Sequence, residues 1–173
     1  GRIISFGNYD TNSERLFGTM GDGVLFSADR EKYIEFCKRE NHKTLLGYGL
    51  ALSPEQLAAV DKEIAKLMSL TVPWDPPKTV KPKRPGIDKE EPMYAYKLKQ
   101  EADGRLYKFT SSKFKTYFVM STNCVLLADT IVGAAGTDIL SVRGFISPGT
   151  YQDYLDKEFE RPHSLVVTKR VYQ

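Results

Sequence analysis

Proline placement constrains this chain more than any other feature. Six of the nine prolines lie between residues 72 and 92. Proline lacks an amide donor and clashes with the preceding helical turn, so no long helix or central strand is expected to run through that stretch. The tract reads as a loop insertion at about 72–92 in a single domain, since 173 residues are enough for one well-buried core. Within it, Lys78, Lys81, Lys83 and Arg84 make a basic knot that Asp75, Asp88, Glu90 and Glu91 nearly neutralise. A solvated, partly extended loop is the expectation, with a contact for an acidic partner as the alternative.

The other elements follow from periodicity and caps. Residues 2–7 read as a strand, and 8–28, rich in Gly, Asn and Thr, as a long surface loop. Gly21-Asp22-Gly23 lacks the Lys-Ser/Thr of a phosphate loop and reads as a turn. Tyr33, Phe36 and Cys37 share a helical face over residues 29–40, which makes Cys37 a small buried hydrophobe. Leu45 to Leu52 reads as a strand. Ser53-Pro54-Glu55-Gln56 is the clearest helix start, with a cap, a first-turn proline and a capping-box glutamine. The apolar stripe Leu57, Val60, Ile64, Leu67 and Met68 carries that helix to about residue 70. A hairpin is predicted from strands 93–99 and 105–110 around Ala102-Asp103-Gly104, then a strand over 114–120. Helices at 123–132 and 148–159 and a valine-rich strand at 164–172 complete the reading.

Composition narrows the function classes. A 41% hydrophobic and 12% aromatic content excludes a disordered chain. No apolar run approaches the roughly 18 residues that cross a bilayer, so no membrane span is expected. A formal charge of +3 is too balanced to argue for a nucleic-acid partner. Two cysteines are too few for a disulfide scaffold. Two cysteines and two histidines without tight spacing do not make a zinc site, so neither metal nor cofactor is expected.

The chemistry concentrates in Tyr117-Phe118-Val119-Met120-Ser121-Thr122-Asn123-Cys124. A strand ends, polar residues cap, and Cys124 falls in the first helical turn. Unpaired amides and the helix dipole at such a place favour a thiolate, and thiols so placed fall to a pKa of about 3.5–7.5. The same amides suit an oxyanion, and Asn123 offers another donor. The plain alternative is a packing cysteine on an apolar helix, Val125-Leu126-Leu127-Ala128. A thiol nucleophile also needs a base. His42 is five residues from Cys37, the wrong spacing for a shared face, and reads as a loop residue. His163 opens the last strand, and a cysteine before a helix followed by a histidine at a strand head is the papain-like order.

Three stretches resemble the permuted papain-like enzymes, relatives of the NlpC-type cell-wall peptidases. They are Ser121-Thr122-Asn123-Cys124 at a helix start, the Gly133–Gly144 loop running to Ile146-Ser147-Pro148-Gly149-Thr150-Tyr151, and the opening Gly1-Arg2-Ile3-Ile4-Ser5-Phe6-Gly7. The resemblance covers roughly a third of the chain. It implies an α+β, papain-like (permuted NlpC-type) fold, with an antiparallel sheet packed against helices. It implies Cys124 as the nucleophile of an amide hydrolase, with peptidoglycan peptides as leading substrate and a periplasmic or cell-wall site of action after secretion. Members include antibacterial toxins, which implies a cognate immunity protein as a possible partner. In the group the catalytic histidine sits on the strand before Ser5-Phe6-Gly7, a position upstream of Gly1. The chain therefore reads as cut at a hairpin with a segment missing, and the alternative base is His163.

Lys97, Lys99, Arg105, Lys108, Lys113 and Lys115, against only Glu101 and Asp103, are expected to form a basic surface suited to an anionic wall or to protect a sheet edge. Asp129 lies a turn and a half past Cys124 and is expected to point elsewhere. Two rivals stand beside the hydrolase: a thiol deamidase or acyltransferase acting on a protein or lipid amide, and a non-catalytic binding module in which Cys124 is core.

Overall fold

A computed structural model describes residues 1–41, 44–81, 89–136 and 147–173. The protein is α+β with antiparallel sheets. The main sheet is built from β1 (Arg2–Gly7), β3 (Val24–Asp29), β8 (Arg105–Phe109) and β5 (Thr71–Pro73) in the order β1-β3-β8-β5. All three pairings are antiparallel. Two smaller ribbons pair β2 (Met20–Asp22) with β9 (Thr116–Phe118) and β4 (Leu45–Leu50) with β10 (Val166–Tyr172). A short pair, β6 (Thr79–Val80) with β7 (Glu91–Pro92), completes the set.

Helices cover both faces of the main sheet. On one side, Val24, Phe26 and Ala28 of β3 meet Phe36 and Cys37 of α1 (Arg30–Asn41) and Ala95 and Leu98 of α3 (Tyr94–Glu101). On the other, Phe6 and Leu25 meet Leu67 of α2 (Pro54–Ser69) and Leu127 of α4 (Cys124–Gly133). Phe6 packs edge-on against Phe109 and Phe114, with ring centroids 5.8 and 5.3 Å apart. The β4–β10 ribbon has its own small core, where Val166 and Tyr48 pack with Tyr151, Tyr154 and Leu155 of α5 (Pro148–Glu160).

The capped helices form where their caps predict. Ser53 Oγ accepts the Gln56 amide at 3.2 Å and Gln56 Oε1 accepts the Ser53 amide at 2.9 Å, the reciprocal arrangement of a capping box. Ser147 and Thr150 repeat it at the start of α5. Cys37 is buried in the α1 face of the core, as its helical spacing with Tyr33 and Phe36 requires.

Three expectations are corrected. The 8–28 segment is not one surface loop: it holds β2 and β3, and β3 is the most buried strand of the sheet. A strand covered on both faces carries a continuous apolar run instead of alternation, and Val24-Leu25-Phe26 lacks the two-residue period that would announce it. Residues 93–99 form most of a helix, α3, instead of the first arm of a hairpin. Tyr94, Tyr96 and Leu98 alternate as in a strand, but Ala95, Leu98 and Ala102 are fully buried at helical spacing, and packing on β3 decides. The proline-rich stretch is not free of regular structure either. β5 adds Val72 and Pro73 to the sheet edge, where a missing amide donor is tolerated, and β6 pairs with β7. Lys83, Arg84 and Asp88 lie outside the described residues.

The expected basic surface is largely neutralised. Lys97 pairs with Glu40 at 2.8 Å, Lys99 with Asp75 at 2.6 Å, and Lys108 with both Asp10 at 2.6 Å and Asp22 at 3.0 Å. The last cluster is structural. Asp10 is only 7% exposed, and its other carboxylate oxygen accepts the Asn12 amide at 3.1 Å. Ser13 joins in: its hydroxyl donates to the Asp10 carbonyl and accepts the Asp22 amide, both at 2.8 Å. Burial lowers the Lys108 pKa, but the bonds to Asp10 and Asp22 outweigh it and the net shift is upward. The ammonium also lies 5.0 Å from the centre of the Trp74 ring. Gly23 closes the arrangement, because a Cβ there would fall 1.8 Å from the Phe114 carbonyl oxygen. Lys108→Ala leaves the buried Asp10 carboxylate without its counter-ion and is expected to cost about 2–3 kcal/mol in urea unfolding, against less than about 0.5 kcal/mol for the exposed Lys115→Ala.

Candidate active site

Cys124 is positioned by a short chain of local constraints. β9 pairs with β2 and then turns back on itself, the Phe118 amide donating to Thr122 O at 3.0 Å and the Ser121 amide to Phe118 O at 3.0 Å. Asn123 then caps α4. Its Oδ1 accepts the amides of Val125 and Leu126 at 3.1 and 3.2 Å, and its Nδ2 donates to Val119 O at 3.1 Å. The residue is 4% exposed. The predicted cap is therefore present, but the carboxamide is engaged in building the helix start and not in presenting an oxyanion donor. The amides nearest the sulfur are those of Cys124 and Val125.

Those amides do not depress the thiol pKa overall. Burial pushes Cys124 above its ordinary value of 9.0, and the hydrogen bonds from Val125 and from its own amide offset only part of that. The sequence-based expectation of a lowered pKa weighed the helix terminus and lacked the burial, which is the larger effect here.

The thiol opens on a cleft of about 590 Å³. Its walls are Ser5, Phe6 and Gly7 of β1, the segment from Asn8 to Thr19, and Tyr33, Tyr117 and Val119. Burial raises the hydroxyls of Tyr9 and Tyr117, and the nearby Cys124 adds to both shifts. Each is thus a neutral hydrogen-bond donor beside the sulfur at neutral pH, and neither is a base. Tyr9 is further tied to Ser5 by a side-chain hydrogen bond. Asn8 Oδ1 is buried in the same wall without a hydrogen-bond partner. Asn8 and Tyr9 escaped the sequence reading. No motif marks them, and only the folding of residues 8–22 onto the sheet brings them to the thiol.

His163 is not brought to Cys124. His163 occupies an exposed turn between α5 and β10, at φ 62°, and does not line the cleft. His42 lies outside the described residues, as do the Gly144 end of the Gly133–Gly144 loop and Ile146. Asp129 also stays off the cleft, its carboxyl raised by burial and drawn partly back by Lys113. Among the described residues no group of three His, Cys, Asp or Glu side chains is arranged to hold a metal ion, and no helix is long and apolar enough to cross a membrane.

No family model matches the chain, and neither the curated proteins nor the solved structures contain a match.

Two outcomes are expected. The alkylation rate of Cys124, followed by peptide mass spectrometry with buried Cys37 as reference, keeps rising past pH 9. A rate plateau below pH 7.5 would contradict this account of the burial. Asn123→Ala strips the cap of α4 and lowers stability by about 1–2 kcal/mol in chemical denaturation.

Proposed function

We propose that the chain is a papain-like cysteine amide hydrolase of the permuted, NlpC-related kind, with peptidoglycan peptides as substrate and the periplasm or cell wall as its place of action. One observation carries the reading: Cys124 stands at the capped N-terminus of α4, in the deep wall of a cleft that runs against β1. In the reaction, Cys124 Sγ adds to the amide carbonyl as its proton passes to a base. The base returns that proton to the departing amine, and water then cleaves the thioester and restores the thiol. The Cys124 amide is the oxyanion donor of this scheme, because the Val125 amide is already bound to Asn123 Oδ1.

The base is taken from upstream of Gly1, as the resemblance implies, and His163 is set aside because it is absent from the cleft wall. β1 ends the main sheet among the described residues, and an edge strand offers backbone groups on which a preceding strand can pair. A base delivered there supplies what the buried thiol lacks. A cognate immunity protein is the implied partner of a toxin of this kind.

A second reading has an observation of its own. Phe17 and Val119 line the cleft and are exposed, and Phe17 projects fully into solvent at φ 58°. An apolar rim fits a protein or lipid amide better than a polar glycopeptide, which favours a thiol deamidase or acyltransferase using the same Cys124. Purified muropeptides incubated with the chain extended upstream of Gly1 separate the two. Cleavage that Cys124→Ala abolishes, to below about 0.1% of the rate, supports the cell-wall reading. An extended protein with a rapidly alkylated Cys124 and no cleavage transfers support to the rival. Slow alkylation in both forms removes the enzyme reading altogether.

A further inference from the structure

A second cavity, of about 410 Å³, lies between β1, α1 and the β4–β10 ribbon. We propose that it is a subsite for the carboxylate of an extended peptide whose backbone continues along β1 to Cys124. Ile3, Ile34, Leu45 and Leu46 give it apolar walls, Thr168 and three tyrosines add hydroxyls, and its charged groups are two guanidiniums, Arg30 and Arg170. Arg30 is held in place: it donates to the Tyr172 hydroxyl, lies 5.6 Å from the centre of that ring, and pairs with the exposed Glu31. Arg170 has no ion pair among the described residues.

The ribbon presents Arg170 to open space for a stereochemical reason. Arg170 is paired across the strands with Gly47, and Thr168 with Gly49, so no side chain stands opposite either. The glycines leave a bare backbone floor. A Cβ on Gly47 would sit 3.2 Å from the Tyr172 ring, and one on Gly49 would sit 2.3 Å from Thr168 Oγ1. The Arg170 fork, unpaired among the described residues, with the charge of Arg30 beside it and apolar walls around it, matches a planar carboxylate carried on an apolar residue.

The cavity and the Cys124 cleft are neighbours. Tyr33 lines both. Ile3, Ser5 and Gly7 alternate along one side of β1, with Ile3 in the cavity and Ser5 and Gly7 in the cleft. From residue 3 to residue 7 a strand advances about 13 Å, the span of four extended residues. A peptide laid along this strand places its terminal carboxylate at the arginines while a bond some four residues away reaches the thiol. The assignment of that bond rests on the hydrolase reading. The recognition of the carboxylate does not.

The test therefore reads binding and not turnover. The Cys124→Ala protein is titrated by fluorescence with dansyl-Ala-Ala-Ala-Leu as the free acid and as its C-terminal amide. The free acid is expected to bind about tenfold more tightly, with an advantage that shrinks as salt is raised. Arg170→Gln is expected to erase the difference, while Lys115→Gln, the same loss of charge at an exposed residue outside the cavity, keeps it, both with unchanged circular dichroism. Equal binding of acid and amide, binding of neither, or a preference that survives Arg170→Gln overturns the subsite. A protein that keeps the preference yet cleaves no muropeptide refutes the hydrolase reading alone, and one that cleaves without the preference refutes the subsite alone.

Discussion

The Lys108 ammonium, shared between Asp10 and Asp22, is the interaction on which the arrangement around Cys124 depends. The segment from Asn8 to Thr19 has almost no regular structure and buries little apolar surface of its own. It is held to the sheet at Asp10 and at Asp22, and one cation on the central-sheet strand β8 serves both. A partly buried ion pair is weak evidence for net stability, since desolvation offsets much of the attraction. Its contribution is positional. It fixes where a flexible stretch of chain lies, and that stretch supplies Asn8, Tyr9, Glu14 and Phe17 to the cleft wall.

Strain at the tip of the same segment fits this picture. Leu16 and Phe17 both adopt positive φ, at 48° and 58°, a conformation that costs an L-residue roughly 1–2 kcal/mol each. Neither gains burial in return, since Leu16 is 62% exposed and Phe17 wholly so. The Asp10 clamp at the base of the loop and the β2–β9 pairing beyond it impose the turn. The apolar side chains exposed at this tip are a consequence of that frame and not of local preference.

What was legible in the sequence divides along the range of the interactions responsible. Ser53, Asn123 and Ser147 announce α2, α4 and α5 because a cap acts within three residues. β3 and α3 were not legible, because each depends on the other. β3 loses its alternation by being covered on both faces, and α3 takes its helical phase from packing on β3. The candidate site divides in the same way. The placement of Cys124 at a helix start is a local fact and was readable. The burial that raises its pKa, the tyrosines beside it and the absence of His163 from its cleft are long-range facts, set by how residues 8–22, β9 and α5 come together.

On the proposed hydrolase reading, the two effects on Cys124 would serve different parts of the chemistry. The capped helix start fixes where the sulfur points and aims two amides near it, which is geometry, and geometry persists whatever the protonation state. Burial governs the proton affinity, and it raises the thiol pKa. A base within hydrogen-bonding reach changes the second without disturbing the first, because an imidazole that accepts the thiol proton also supplies a cation beside the new thiolate. A buried thiol is therefore no argument against a nucleophile. Under the proposed hydrolase reading, it makes reactivity depend on a base brought within reach of the thiol.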